Sequence, residues 1–155
     1  MPGNGPERRH VLHTTALAAM TALPDNRPMN EKSATAIDID VTSRFDADHS
    51  KPADGRYVFA YTVTLRNTGK RPARLLTRHW VITDANGKVE EVHGDGVVGE
   101  QPWMKPGERY QYTSGAILET AVGTMHGSYE MITDDGMEFE ATIPRFVLSI
   151  PRTLH

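Results

Sequence analysis

Apolar and polar residues alternate along most of the chain from Met29 onward, in short stretches of period two. Residues 35–45 place Ile37, Ile39, Val41 and Phe45 on one side and Asp38, Asp40 and Thr42 on the other. A pleated strand points successive side chains to opposite faces, so this pattern predicts a strand with one buried face. Residues 57–67 repeat it, with Phe59, Tyr61, Val63 and Leu65 inward against Thr62, Thr64 and Arg66. Residues 73–83 alternate less cleanly: Leu76, Trp80 and Ile82 share a face with Arg78, and Leu75 and Val81 share one with His79. That mixture predicts a strand covered on part of both sides. Further strands are predicted over 88–93, over 108–118 with Tyr110 and Tyr112 on one face, and over 123–133 with Met125, Tyr129 and Met131. The last spans 137–143, where Met137, Phe139, Ala141 and Ile143 alternate with Glu138, Glu140 and Thr142, and Phe146, Leu148 and Ile150 extend it. Pro144 inside that run has no amide to donate, so it demands a sheet edge or a bulge.

Turn chemistry separates these runs. Residues 46–55 (DADHSKPADG) are turn formers throughout, and Asn67-Thr68-Gly69-Lys70 is a turn in which Gly69 is expected to supply a positive φ. Asp84-Ala85-Asn86-Gly87 is the strongest hairpin signal, because Asn-Gly suits a type I′ turn, and Asp134-Asp135-Gly136 turns the chain once more. About seven to eight short strands with such turns and no convincing helix predict an all-β antiparallel sandwich over residues 29–155. A tryptophan on the third strand, Trp80, fits an immunoglobulin-like or fibronectin type III-like core, and the absence of cysteine favours the fibronectin type.

Residues 1–28 differ in character. Arg8 and Arg9 precede an apolar run over 11–23 that His13, Thr14, Thr15 and Thr21 interrupt, and Pro24 and Pro28 follow it. Residues 16–23 offer two turns of helix, too few to persist alone in water, so this segment is expected to be a disordered or weakly helical tail rather than an export signal. The 155-residue chain has no cysteine, which excludes disulfides and thiol chemistry and suits a cytoplasmic setting. A formal charge of -3 argues against nucleic-acid binding, and no apolar run is long enough for a membrane helix.

The candidate chemistry gathers in residues 89–107. Gly94, Gly96 and Gly99 have a GxGxxG spacing, and Pro102, Trp103, Pro106 and Gly107 follow. A dinucleotide fingerprint needs a helix whose N-terminal amides meet the pyrophosphate, and two prolines so close together forbid that helix. Asp95 and Glu100 add negative charge where a phosphate would sit. Two uses remain: a turn whose glycines take special backbone angles with Trp103 folded over it, or a nest of glycine amides that binds an anion without a helix. His79, His93 and His126, with Asp95 beside His93, are residue types that hold divalent metals, but their spacing assigns no metal site. Arg66, Lys70, Arg71, Arg74 and Arg78 suggest a basic patch around one hairpin, opposite acidic Asp134, Asp135, Glu138 and Glu140. No serine lies in a nucleophile elbow, and adjacent Glu90 and Glu91 point to opposite faces of a strand, so no enzyme is expected.

Several of these runs together resemble the bacterial ApaG family: YVFAYTVTLRNTG at 57–69, RHWVIT at 78–83, HGDGVVGEQP at 93–102 and GSY at 127–129. The resemblance spans Met29 to the C-terminus. It implies a fibronectin type III-like sandwich and a function related to protein binding, since similar domains in eukaryotic F-box proteins and a polymerase delta-interacting protein look like binding modules. The expected function is therefore a non-enzymatic protein–protein interaction module without cofactor. An unidentified protein partner would meet the loop residues His93, Gly94, Asp95, Gly96, Gly99 and Trp103, with Arg66, Arg74 and Arg78 alongside. The alternative is a pyrophosphate or nucleotide sensor built on the glycines, with a divalent metal at His93 and Asp95. The resemblance connects that alternative with cobalt and magnesium resistance.

Overall fold

The alternating runs become strands throughout the computed structural model, which describes the backbone of Ala19–Ala22 and residues 35–151. In chain order the strands are β1 (Ala19–Ala22), β2 (Ile37–Phe45), β3 (Tyr57–Asn67), β4 (Ala73–Asp84), β5 (Val89–Asp95), β6 (Trp103–Met104), β7 (Glu108–Leu118), β8 (Val122–Thr133) and β9 (Glu138–Ser149). Among the described residues, only the 3-10 turns Ala47–His49 and Pro52–Asp54 interrupt them, both in the predicted turn segment. All pairings are antiparallel, in a sheet of order β1-β7-β3-β2 and a second of order β5-β4-β8-β9 with β6 also on β4. This is the two-layer, fibronectin type III-like sandwich expected from the alternation. Along one side the layers meet at β2 and β9, where Ser43 Oγ donates to the Val147 carbonyl at 3.1 Å.

Ala19–Ala22 departs from the expected helical or disordered tail. It is an extended strand, paired from Ala19 opposite Gln111 to Ala22 opposite Glu108. The free edge of β7 supplies the backbone partners that a lone two-turn helix lacks. The rest of residues 1–28 lies outside the described residues.

The irregular alternation of β4 comes from a register break rather than from cover on both sides. Leu75 pairs with Met131 but Thr77 with Glu130, so Leu76 is an extra residue. The bulge reverses the phase, and Leu75, not Leu76, joins Trp80 and Ile82 in the core. Pro144 sits at a second break, between the Ile143–Gly127 and Phe146–Met125 pairs of edge strand β9. Both conditions that make proline acceptable in a sheet are met there.

Two turns also differ from expectation. Gly69 does not take a positive φ. Instead buried Asn67 organises that corner: its side chain accepts from the Gly69 amide at 2.9 Å and donates to the Arg71 and Met104 carbonyls, each at 2.9 Å. At Asn86-Gly87 only the glycine is left-handed. The Gly87 amide donates to the Asp84 carbonyl at 3.1 Å and the Asp84 amide to the Lys88 carbonyl at 3.0 Å. That is a three-residue loop, a type I turn closed by a left-handed glycine, rather than type I′.

Trp80 centres the core at 1% exposure, as the sequence predicted. Tyr61, Phe146 and Tyr129 present rings to it edge-on, at centroid distances of 5.3, 5.9 and 6.4 Å, a favoured aromatic arrangement. Tyr112 from one sheet and Tyr129 from the other meet hydroxyl to hydroxyl at 2.5 Å between the layers.

Candidate functional site: the glycine loop and the edge it interrupts

β5 and β6 lie along the same side of β4. Asp95 pairs with Thr77 at the end of β5, and the line resumes with Trp103 opposite Arg74 and Met104 opposite Ala73. Residues 96–102 leave this line opposite the Leu76 bulge, so the glycine loop is an excursion from a sheet edge. No helix follows it.

The loop is fixed from several sides. The Leu76 carbonyl, freed from the ladder by the bulge, accepts from the Gly96 amide at 2.8 Å and from Gln101 Nε2 at 2.9 Å. Arg78 lies under the loop, and its Nη1 donates to the Asp95 and Gly96 carbonyls, both at 3.0 Å. Gly94 makes room for it: a Cβ there would lie 2.6 Å from Arg78 Nη1. Burial pulls the Arg78 guanidinium down from its ordinary value, against the opposing pull of Tyr112, Tyr129 and Asp95. On the other sheet, the Tyr110 hydroxyl donates to the Glu100 carboxylate at 2.9 Å. Burial, reinforced by that carboxylate, pushes the Tyr110 hydroxyl well above its ordinary value.

At the tip, Val97 and Glu100 exchange both backbone bonds, at 2.8 and 2.9 Å, around Val98 (φ 43°) and Gly99 (φ 82°). Two successive positive φ values make this the type I′ turn that the sequence suggested for Asn86-Gly87. Valine is branched at Cβ and resists that region, so Val98 holds strain at the apex of the loop. Val97 is fully buried and anchors the loop in the core.

Trp103 does not fold over the loop as a plug; its neighbour Met104 fills the core while Trp103 stays 42% exposed. The Arg74 guanidinium carbon lies 5.9 Å from the Trp103 ring centroid, and Arg74 Nε donates to the Gln101 carbonyl at 3.0 Å. That places the cation within range of the indole face. Val98, at 37%, is the other large apolar side chain exposed on the loop.

The arginines do not form one patch. Arg66 stands on β3 of the other sheet, aligned with Asp38 of β2 and Arg109 of β7. Arg71 bonds Asp134 at 2.9 Å, Arg74 covers Trp103, and Arg78 turns beneath the loop. Of the metal-type residues, His79 and His93 come together, but with Glu91 rather than Asp95 or His126. Pairing Glu91 with Glu90 in the sequence hides its relation to His93. They are two residues apart on one strand, so they share a face. The roles of Val97, Gln101 and Tyr110 carry no local sequence signal, since each depends on a contact with another strand.

The ApaG domain family pattern matches residues 47–133, which hold most of both sheets and the whole loop. The chain belongs to the ApaG family. Relatives include the ApaG proteins of Stenotrophomonas maltophilia (57% identical), Azoarcus sp. (55%) and Xanthomonas euvesicatoria (54%). Each is matched over 127 residues, 82% of this chain and all of the relative. Among solved structures, the putative ApaA protein of Bordetella pertussis is 46% identical, with a TM-score of 0.77 over 79% of this chain and 99% of that one. This ApaG chain thus shares both sequence and sandwich with its relatives. Among its described residues no helix is long and apolar enough to cross a membrane.

Proposed function

We propose that this ApaG domain is a non-enzymatic protein-interaction module that docks a partner protein through its glycine loop and the adjoining strand β6, with Trp103, Val98 and Arg74 as the contact. The observation that carries this reading is Trp103, 42% exposed on β6 where the sheet edge resumes beside a loop that core packing and hydrogen bonds already hold in place. Tryptophan and arginine supply a disproportionate share of binding energy at protein interfaces. A preformed loop reduces the ordering cost of association. Strand addition along the β5 edge is a poorer use of this surface, because the excursion at 96–102 breaks the edge and leaves only two residues in β6.

The pyrophosphate alternative has weaker support. The amides of Gly96, Val97 and Glu100 already donate to protein carbonyls, and those carbonyls compete with a phosphate for them. Glu100 and Asp95 bring negative charge to the same loop. A cytoplasmic setting belongs to the proposal, and a chain without cysteine suits a reducing compartment.

The test is quantitative affinity capture from the native cell with wild type and Trp103→Ala, joined to an amide NMR titration with pyrophosphate and ATP. A specific protein retained by wild type and lost by the variant, at unchanged melting temperature and with still loop amides, is the expected result. Identical captured sets from both proteins would overturn the docking surface. Shifts confined to Gly94–Gly99 on adding pyrophosphate would favour the sensor instead.

A further inference from the structure

On the outer face of the β4–β5 hairpin, His79 stands directly opposite His93 in the antiparallel ladder, and Glu91 lies two residues before His93 on the same face. The two imidazoles stack with centroids 4.2 Å apart and planes 8° from parallel. Both present Nε2 to one carboxylate oxygen: His79 at 3.2 Å and His93 at 3.6 Å from Glu91 Oε1. One possible ligand atom from each of the three residues lies within 4.8 Å of the others, the one such group among the described residues.

These separations suit a metal ion. A tetrahedral ion with bonds of about 2.0–2.2 Å to imidazole nitrogen and carboxylate oxygen separates its ligand atoms by about 3.3–3.5 Å. The two nitrogen–oxygen distances already bracket that edge. The ladder pre-positions two ligands at one cross-strand pair and the third along the same strand, so binding requires side-chain rotation rather than backbone movement.

We propose that His79, Glu91 and His93 form a surface binding site for one zinc-class divalent cation, distinct from the loop contact. Two imidazoles and one carboxylate select borderline ions such as zinc over magnesium or calcium, which take oxygen ligands. Three protein ligands leave a fourth position of a tetrahedral ion open. With side-chain exposures of 33% for His79, 57% for Glu91 and 69% for His93, that position faces solvent, where water or a donor side chain can occupy it. The site is independent of the Trp103 proposal and stands or falls by its own test.

The experiment is a zinc chloride titration of the full chain, read by calorimetry and by the imidazole carbon-bound proton resonances of all seven histidines. His79 and His93 should shift together and saturate at one equivalent, while magnesium chloride leaves them unmoved. Glu91→Gln, an isosteric change at an exposed site, and His93→Ala should each weaken zinc binding at this site by about tenfold or more, the scale of losses at perturbed metal sites. Circular dichroism melts verify that both variants fold. Zinc affinity unchanged in folded variants would overturn the site, as would zinc shifts confined to other histidines. Equal response to magnesium would overturn the assigned ion class.

Discussion

The Tyr112–Tyr129 pair offers a sharp check on how the two layers are locked. Tyr112 belongs to β7 of one sheet and Tyr129 to β8 of the other. Both are buried, and their hydroxyls meet at 2.5 Å. Replacing either by phenylalanine removes one hydroxyl without changing ring packing and leaves the other buried without this partner. A stranded buried polar group costs about 1–3 kcal/mol, whereas replacing both partners by apolar groups of the same shape is nearly neutral. Tyr112→Phe and Tyr129→Phe should therefore each destabilise by about 1–3 kcal/mol, and the double variant by about 1 kcal/mol or less. Urea unfolding with common slopes measures all four corners of the cycle, and thermal melts should follow the same order at about 2–8 °C per kcal/mol. A double variant as unstable as the sum of the singles would refute the reasoning, because it would mean that each hydroxyl is satisfied elsewhere.

Alkaline pH and the loop glycines give further checks. From an ordinary value near 10, burial pushes the Tyr61 hydroxyl up to about 12 and also raises Tyr112 and Tyr129 well above it. Because these folded values lie above the unfolded one, the stabilisation is intact below about pH 10 and lost as pH rises toward 12 and beyond, when only the unfolded chain sheds protons. Each such tyrosine contributes a fall of about 1.4 kcal/mol per pH unit in that window. Urea unfolding at about pH 9 and about pH 11, with tyrosinate absorbance, checks this; tyrosines that ionise near pH 10 in the folded protein would contradict it. Gly96→Ala should cost at least about 2 kcal/mol, and Gly99→Ala about 1 kcal/mol. At Gly96 (φ 62°) a Cβ would also lie 2.3 Å from the Glu100 carbonyl oxygen, whereas at Gly99 (φ 82°) nothing lies within 4 Å. Equal losses in urea unfolding would sink the claim that close backbone approach, not φ alone, selects Gly96.

Legibility varied from element to element. Strands β2, β3, β7 and β8 were readable because one face of each is polar or turn-bounded, and period two is a local property of the backbone. The same reasoning misjudged β4, since a bulge shifts phase without changing composition; both Leu75 and Leu76 are apolar, and only the pairing with β8 shows which one faces the core. It also moved the type I′ turn to Asn86-Gly87, where residue preference is strongest, while the fold places it at Val98-Gly99 against preference. Nothing local can reveal that choice, because burial of Val97 and the bonds at Leu76 and Glu100 hold the strained tip. Trp103 was legible as a candidate contact, but its exposure followed only from seeing Met104 take the inward position.

By itself the sequence determined the all-β class, the positions of every strand except β1 and β6, Trp80 at the core, the lack of a helix behind the glycines and the resemblance to the ApaG family. These follow from side-chain periodicity, proline's missing amide and motif order, which are properties of neighbouring residues. Tertiary structure alone decided which carbonyl each glycine-loop amide meets, that Arg78 turns under the loop while Arg74 covers Trp103, and that Glu91 joins His79 and His93. Each of those depends on register between strands, and register is set by the whole buried face rather than by any one stretch.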